Sequence, residues 1–148
     1  MMFQPHAFAT LAFVALLSPL GAQADQIEAT ELATMELQPL PTFPGVATGF
    51  LIGGFDVDGL YAAQATMAQG SVFPPHTHPD DRLTIVLDGV MYLGEGDTAE
   101  LEDAVAYPAG TAAITPAGIA HFMLAPKGDV RVLEIGAGPS GTAFLTAD

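Results

Sequence analysis

Short β-forming runs, divided at close intervals by Gly and Pro, fill the sequence between residues 46 and 135. The dividing sequences, among them Asp88-Gly89 and Pro116-Ala117-Gly118, are typical of tight turns. Many short strands joined by such turns predict an all-β fold of the sandwich, barrel or jelly-roll kind. The predicted strands are 46–52, 60–67, 83–87, 90–93, 104–107, 112–115, 120–125 and 130–135, with further β-forming residues around His76.

The chain has the length of one domain with a hydrophobic core, and no linker or internal repeat divides its 148 residues. Residues 46–135 are the predicted barrel. Residues 25–45 are predicted to form an N-terminal arm, in which three prolines stop any helix. Residues 136–148 are predicted to form a loose C-terminal tail.

Residues 1–24 are typical of a secretory signal peptide. An apolar run from Ala7 to Leu17 is followed by Ala22-Gln23-Ala24, which is a small-residue cleavage pattern. The run is shorter than the roughly 20 apolar residues that a membrane span requires. No Lys or Arg precedes it, which is unusual for a signal, and a retained N-terminal helix is the alternative. We expect a periplasmic or secreted protein that begins at Asp25 and has no membrane attachment after cleavage.

Composition excludes several classes of function. Seventeen acidic residues against three basic ones give a net charge of −14, which argues against nucleic acid and anionic membranes as partners. The sequence has no Cys, so it contains neither disulfides nor a thiol nucleophile. A phosphate-binding loop is absent from the sequence too, and a Ser-His-Asp triad would require a histidine from the pattern described next.

Two histidines, His76 and His78, lie two positions apart in a β-forming segment. Residues i and i+2 of a strand share one face and are roughly 6.6 Å apart along the chain. A metal ion about 2.0 to 2.1 Å from each imidazole nitrogen fits between two such side chains. A third histidine, His121, follows the turn at Pro116-Ala117-Gly118.

The spacing of these residues resembles the two motifs of the cupin superfamily. Gly70-x5-His76-x-His78, closing at Gly89, is similar to the first motif, and Gly110-x5-Pro116-x-Gly118-x2-His121 is similar to the second. The chain therefore resembles a small single-domain cupin over residues 46–135. The resemblance implies a cupin-type antiparallel jelly-roll barrel with one divalent metal ion in its mouth, held by His76, His78 and His121. Because cupins often dimerise and the strand 83–87 is apolar on both faces, we also expect a homodimer.

Each of the two motifs departs from the cupin pattern at one position, and the loss of the Glu ligand from the first motif is the departure that alters the chemistry. Arg82 and Leu83 stand where cupins usually have a Glu ligand, and Ala125 stands where the second motif usually has Asn. Arg82 is predicted to face the same way as the paired histidines, and three interpretations remain open. Its guanidinium can clamp a substrate carboxylate, or it can form an ion pair with Asp80 or Asp81 at the rim. In the third, one of these two aspartates replaces the missing Glu as a fourth ligand.

The three imidazole ligands restrict the identity of the metal only loosely. Imidazole suits zinc, copper, iron and nickel, so availability decides among them. Export of an unfolded chain, with metal taken up outside the cytoplasm, favours zinc or copper over iron or manganese.

The predicted function is that of an exported metal-binding cupin acting on a small, anionic organic substrate, with Arg82 as the catalytic residue. Dioxygenase-like oxidation is the first choice of reaction, with lyase or isomerase chemistry behind it. The alternative is a non-catalytic cupin that binds a small ligand or metal.

Overall fold

The structure is a computed structural model and describes residues 27–145; the predicted signal peptide lies outside the described residues. The strands are β1 (Gln38–Pro39), β2 (Val46–Ile52), β3 (Gly59–Met67), β4 (Val72–Thr77), β5 (Arg82–Asp88), β6 (Val90–Glu95), β7 (Ala104–Pro108), β8 (Ala112–Thr115), β9 (His121–Leu124), β10 (Val130–Gly138) and β11 (Ala143–Phe144). Short 3-10 turns lie at Leu32–Thr34 and Leu101–Asp103. Among residues 27–145, no helix has the length and apolar character that a membrane span requires.

Two antiparallel sheets enclose one hydrophobic core. The six-stranded sheet has the order β1-β2-β3-β10-β5-β8, and the five-stranded sheet has the order β11-β4-β9-β6-β7. Both contribute to the core, since Val86 and Val132 of the first pack with Met91 and Met123 of the second. This arrangement confirms the predicted all-β, cupin-type jelly-roll barrel.

Local turn chemistry explains why the predicted strands agree with the structure. At Asp88-Gly89 the chain passes from β5 in the six-stranded sheet to β6 in the five-stranded sheet, so this turn joins the two sheets and is not a hairpin. Gly89 adopts a φ of 76°, which favours glycine. The predicted strands 104–107, 112–115 and 120–125 correspond to β7, β8 and β9 within two residues at each end.

Both predicted flanking segments take part in the sheets. Residues 38–39 of the arm form β1 and pair with β2. The predicted boundary after Ile135 falls inside a strand, because β10 continues to Gly138 along β3. Beyond it, β11 pairs with β4 at His76 and Thr77. Residues 136–145 are therefore part of the barrel and not a loose tail.

The two faces of β5 differ in burial within one chain. Arg82, Thr84 and Val86 point into the barrel and are buried, whereas Leu83 on the outer face is half-buried. Leu83 lies between Ile135 and Ile114 on the neighbouring strands, and Ile114 is 73% exposed. On the five-stranded sheet, a separate cluster of Tyr92, Phe122 and Leu124 packs against Val90, Ala99 and Ala104.

Candidate metal centre

The three predicted histidine ligands lie together between the two sheets. His76 is on β4, His78 follows the end of that strand, and His121 begins β9 directly opposite His76. The ring centroids of His76 and His121 are 4.2 Å apart, and His78 lies 4.7 Å from the first and 5.1 Å from the second. Their available nitrogens all lie within 4.8 Å of one another, and all three residues are buried. One metal ion can contact all three.

Backbone turns bring the two histidine motifs together. Proline has no N–H for pairing, and the register of β4 with β9 shifts between Phe73 and His76, across Pro74-Pro75. The turn of the second motif is hydrogen-bonded to the first motif, because the Gly118 N–H donates to the carbonyl oxygen of His78 over 2.8 Å. Gly118 has a φ of 77°, which explains the need for glycine in the second motif.

Each imidazole is oriented by a backbone oxygen. The Nδ1 atoms of His76, His78 and His121 lie 2.7, 2.7 and 2.9 Å from the carbonyl oxygens of Pro74, Gly141 and Ile119. Because a carbonyl oxygen only accepts, each Nδ1 carries the hydrogen and each Nε2 keeps its lone pair. The Nε2 atoms of His76 and His78 are buried and have no hydrogen-bond partner among the described residues. Such unpartnered nitrogens, with Nδ1 anchored to a carbonyl, fit a metal ion.

Burial also keeps the imidazoles neutral. Loss of solvent contact is the main cause that lowers the pKa of His76 to about 3 and that of His78 to about 4. The same cause lowers the pKa of His121. The positive charge of Arg82 acts in the same direction on all three. The neutral form, which binds metals, is therefore the form present near neutral pH.

The Arg82 guanidinium is buried, with an exposed fraction of 3%, and has several partners inside the barrel. One terminal nitrogen donates to Glu134 Oε2 over 3.2 Å, and Nε lies 3.7 Å from Asp80 Oδ1. The other terminal nitrogen donates to Ser140 Oγ over 3.1 Å and to Gly141 O over 3.2 Å. The guanidinium carbon also lies 4.8 Å from the centre of the Phe55 ring. Arg82 is thus the hub of a buried polar network.

The carboxylates of this network differ in their surroundings. Burial raises the pKa of Glu134, against the effect of Arg82. Burial also acts to raise the pKa of Asp80, but hydrogen bonds from Ser140 and Tyr61, with the Arg82 charge, outweigh it and lower that pKa. The Tyr61 hydroxyl donates to Asp80 over 2.6 Å, and burial and this bond raise the pKa of the phenol.

The two candidate aspartates have different positions. Asp80 faces Arg82, as the ion-pair interpretation expects, whereas Asp81 accepts a hydrogen bond from the Ala117 N–H over 2.8 Å. Among the described residues, the group that can hold a metal consists of the three histidines without either aspartate. The sequence reasoning missed Glu134, Ser140 and Gly141. Glu134 could have been found, because it is the one acidic residue in the β-forming run 130–135.

Two cavities reach different histidines of the cluster. One of about 690 Å³ is lined by His78, Gly118 and residues 140–143. The other, of about 570 Å³, is lined by His121 with Glu95, Tyr107 and Thr115. Small molecules therefore have room beside the histidine cluster.

The jelly-roll barrel and its three converging, buried imidazoles show that this is a small β-barrel protein with a candidate metal centre. The family model described as Cupin domain matches residues 63–136. This chain belongs to the cupin family.

Relatives of known identity agree with this assignment. A germin-like protein 3-1 of Oryza sativa subsp. japonica is 28% identical over 116 residues, which are 74% of this chain and 51% of that protein. The chain thus spans about half the length of this curated relative.

Among solved structures, the polyketide cyclase RemF from Streptomyces resistomycificus superposes with a TM-score of 0.69 at 18% identity, covering 83% of this chain and 88% of RemF. A cupin-like protein from Thermotoga maritima gives a TM-score of 0.61 at 19% identity, with 77% and 89% covered. At these identities the likeness shows the fold.

Proposed function

We propose that this cupin binds one divalent metal ion through the Nε2 atoms of His76, His78 and His121 and acts on a small organic molecule beside it. The observation that carries the proposal is the pair of buried, unpartnered Nε2 atoms on imidazoles whose Nδ1 atoms are anchored. Leaving such nitrogens buried without a partner costs free energy, which a metal ion offsets.

The ion would supply Lewis-acid polarisation of a bound oxygen and, if it is redox-active, electrons for dioxygen. The chain supplies neutral imidazoles held in one orientation and no carboxylate at the usual fourth position. It also supplies cavities beside the histidines, one of which has His121, Glu95 and Tyr107 in its walls. Dioxygenase-like oxidation remains our first choice of reaction, and zinc or copper our first choices of metal. Of these two ions only copper can exchange electrons with dioxygen, so zinc would go with the lyase or isomerase alternative.

The anionic substrate that we expect from Arg82 has less support than the metal site. A substrate carboxylate would compete with Glu134 and Asp80 for the guanidinium. One terminal nitrogen is engaged by Ser140 and Gly141, and Nε is buried without a hydrogen-bond partner among the described residues, 3.7 Å from Asp80. We therefore propose that Arg82 holds the wall of the site instead of clamping a substrate.

Metal analysis of the purified protein tests the proposal. We expect one metal ion per chain, lost in His76→Ala and in His121→Ala but retained in Gln69→Ala, which changes an exposed residue outside the site. Wild-type protein without stoichiometric metal would refute the proposal.

A non-catalytic cupin is the second candidate, favoured by the pairing of Arg82, Asp80 and Glu134 with one another. Oxygen consumption by metal-loaded protein, measured against a panel of carboxylates, diketones and thiols, distinguishes the two. If no compound of the panel causes oxygen consumption and calorimetry shows tight ligand binding, the non-catalytic binding protein is favoured.

We also propose export of the chain, on the strength of the signal pattern in residues 1–24. N-terminal sequencing of protein from its native host tests this: a start at Asp25 is expected, and an intact Met1 in the mature protein would contradict export.

A further inference from the structure

A third cavity, of about 290 Å³, lies inside the barrel between the hydrophobic core and Arg82. Its walls are mostly apolar and include Ala65, Met123 and Val132 from both sheets. Protein interiors are close-packed, and apolar space of this size that is lined by side chains excludes water and binds apolar molecules. The cavity is thus suited to a ligand.

Three phenylalanines form one wall of the cavity. Phe43 lies in the loop between β1 and β2, Phe73 on β4 and Phe144 on β11. The ring centroids are 5.0 Å apart for Phe43 and Phe73, 4.6 Å for Phe43 and Phe144, and 5.4 Å for Phe73 and Phe144. Rings at these separations offer both faces and edges, and a further ring can pack against them in the same way.

The polar end of the cavity does not favour an anion. It is formed by Arg82 and Glu134, and the guanidinium is shared between Glu134 and Asp80. One cation with two carboxylates leaves no excess positive charge, and an entering anion would be desolvated beside a buried acid. A neutral hydroxyl group can instead donate to Thr48, whose own hydrogen is bonded to the Gln64 carbonyl oxygen, and a hydroxyl or carbonyl group can bond to Thr142. Both threonines line the cavity.

The cavity lies directly beside the histidine cluster. The His76 ring is 4.8 Å from Phe73 and 5.7 Å from Phe144, measured between centroids, and the Thr142 hydroxyl is 3.4 Å from His78 Nδ1. A molecule in the cavity would therefore be one side chain away from two of the three histidines.

We propose that this cavity binds a neutral, apolar compound of one or two rings carrying a hydroxyl or carbonyl group, and that such compounds are the substrates of the metal centre. The substrate role rests on the proposed function, whereas binding in the cavity does not.

Calorimetry with 1-naphthol and its anionic counterpart 1-naphthoate, at pH 7 on metal-loaded full-length protein, tests the inference. Naphthol is expected to bind about tenfold or more tightly than naphthoate, because the carboxylate would be buried close to the carboxylates of Glu134 and Asp80. Ala65→Leu fills the cavity and should weaken naphthol binding at least about tenfold. Ala113→Leu, a matched control, fills the cavity at His121 instead and should leave naphthol binding unchanged.

Phe144→Asp is a second variant, which places a charge in the wall at an edge strand where the side chain is 42% exposed. It should also weaken naphthol binding, and it covers the case in which Ala65→Leu does not fold. Equal or tighter binding of naphthoate, or unchanged naphthol affinity in a folded variant, would overturn the inference. Metal content is measured in each sample: naphthol binding without metal refutes the proposed function alone, and metal without naphthol binding refutes this inference alone.

Discussion

The Arg82 guanidinium and the His78 imidazole donate to the same backbone oxygen, that of Gly141, over 3.2 and 2.7 Å. A carbonyl oxygen has two lone pairs and can accept both bonds. Arg82 therefore holds the oxygen that orients His78. The residue found where cupins usually carry a fourth ligand acts on the candidate metal centre through the peptide at Gly141.

Replacing Arg82 should weaken metal binding without removing a ligand. Arg82→Leu should lower metal affinity about 10- to 100-fold, because Gly141 loses its second donor and His78 its fixed orientation. It should also cost about 3 to 5 kcal/mol in the free energy of unfolding, because Glu134 is left buried without its partner. Chelator competition and thermal unfolding measure the two effects.

The double variant Arg82→Leu with Glu134→Leu separates them. Removing both charges should recover much of the stability but not the metal affinity. Recovery of both together would show that Arg82 acts only through stability.

Arg82→Glu tests the clamp interpretation: unchanged metal affinity and activity would exclude Arg82 as a substrate clamp.

Acid should destabilise the metal-free protein before the surface carboxylates titrate. The pKa values of His76 and His78 are lowered in the folded state to about 3 and 4, so below about pH 6.5 the unfolded chain binds more protons. Stability is fully present above that pH and falls by about 1.4 kcal/mol per pH unit for each histidine down to its folded pKa.

Urea unfolding between pH 7 and 5 measures this slope. Burial raises the pKa of Glu134, so this residue adds stability as the pH falls and opposes the histidines. The control is therefore His78→Gln, in which the change in unfolding free energy per pH unit should lack the contribution of one histidine. Equal slopes in the two proteins would contradict the prediction.

Gly94 should not tolerate a side chain. A Cβ at this position on β6 would overlap the ring of Phe122, which lies directly across the ladder on β9. Gly94→Ala should therefore lower the free energy of unfolding by about 1 to 3 kcal/mol. Gly141→Ala is the control, because its added Cβ meets open space. A Gly94→Ala protein as stable as this control would count against the packing described for the cluster of Tyr92, Phe122 and Leu124.

A second copy of this chain is the partner that we propose for the outer face of the six-stranded sheet. Analytical ultracentrifugation should show a dimer. Ile114→Asp should shift it to monomer, because the charge would lie on the apolar row that the exposed Ile114 forms with the half-buried Leu83 and Ile135. Val57→Asp, at an apolar residue 52% exposed in a loop, should leave the dimer intact. A monomeric wild type would contradict the proposal.

The features that were predicted correctly are those encoded locally. Turn residues such as Asp88-Gly89 set strand ends within a few positions, and the two motifs carry the spacing that brings His121 to His76. The Arg82 and Glu134 pair is separated by 52 positions, and no local pattern specifies which inward-facing residues of two strands meet. The strand β11 was missed for the same reason, since two residues form it only because β4 offers a free edge.

The hydrogen bond between His78 and Gly141 spans 63 residues, and it has a consequence for the order of biogenesis. A nascent chain that has been synthesised only as far as His121 already contains every histidine of the site, yet it lacks the oxygen that orients one of them. Because closing so long a loop is slow and costs chain entropy, we expect the ion to be captured by the closed barrel and not by the emerging chain. Metal selection would then depend on the compartment in which folding finishes.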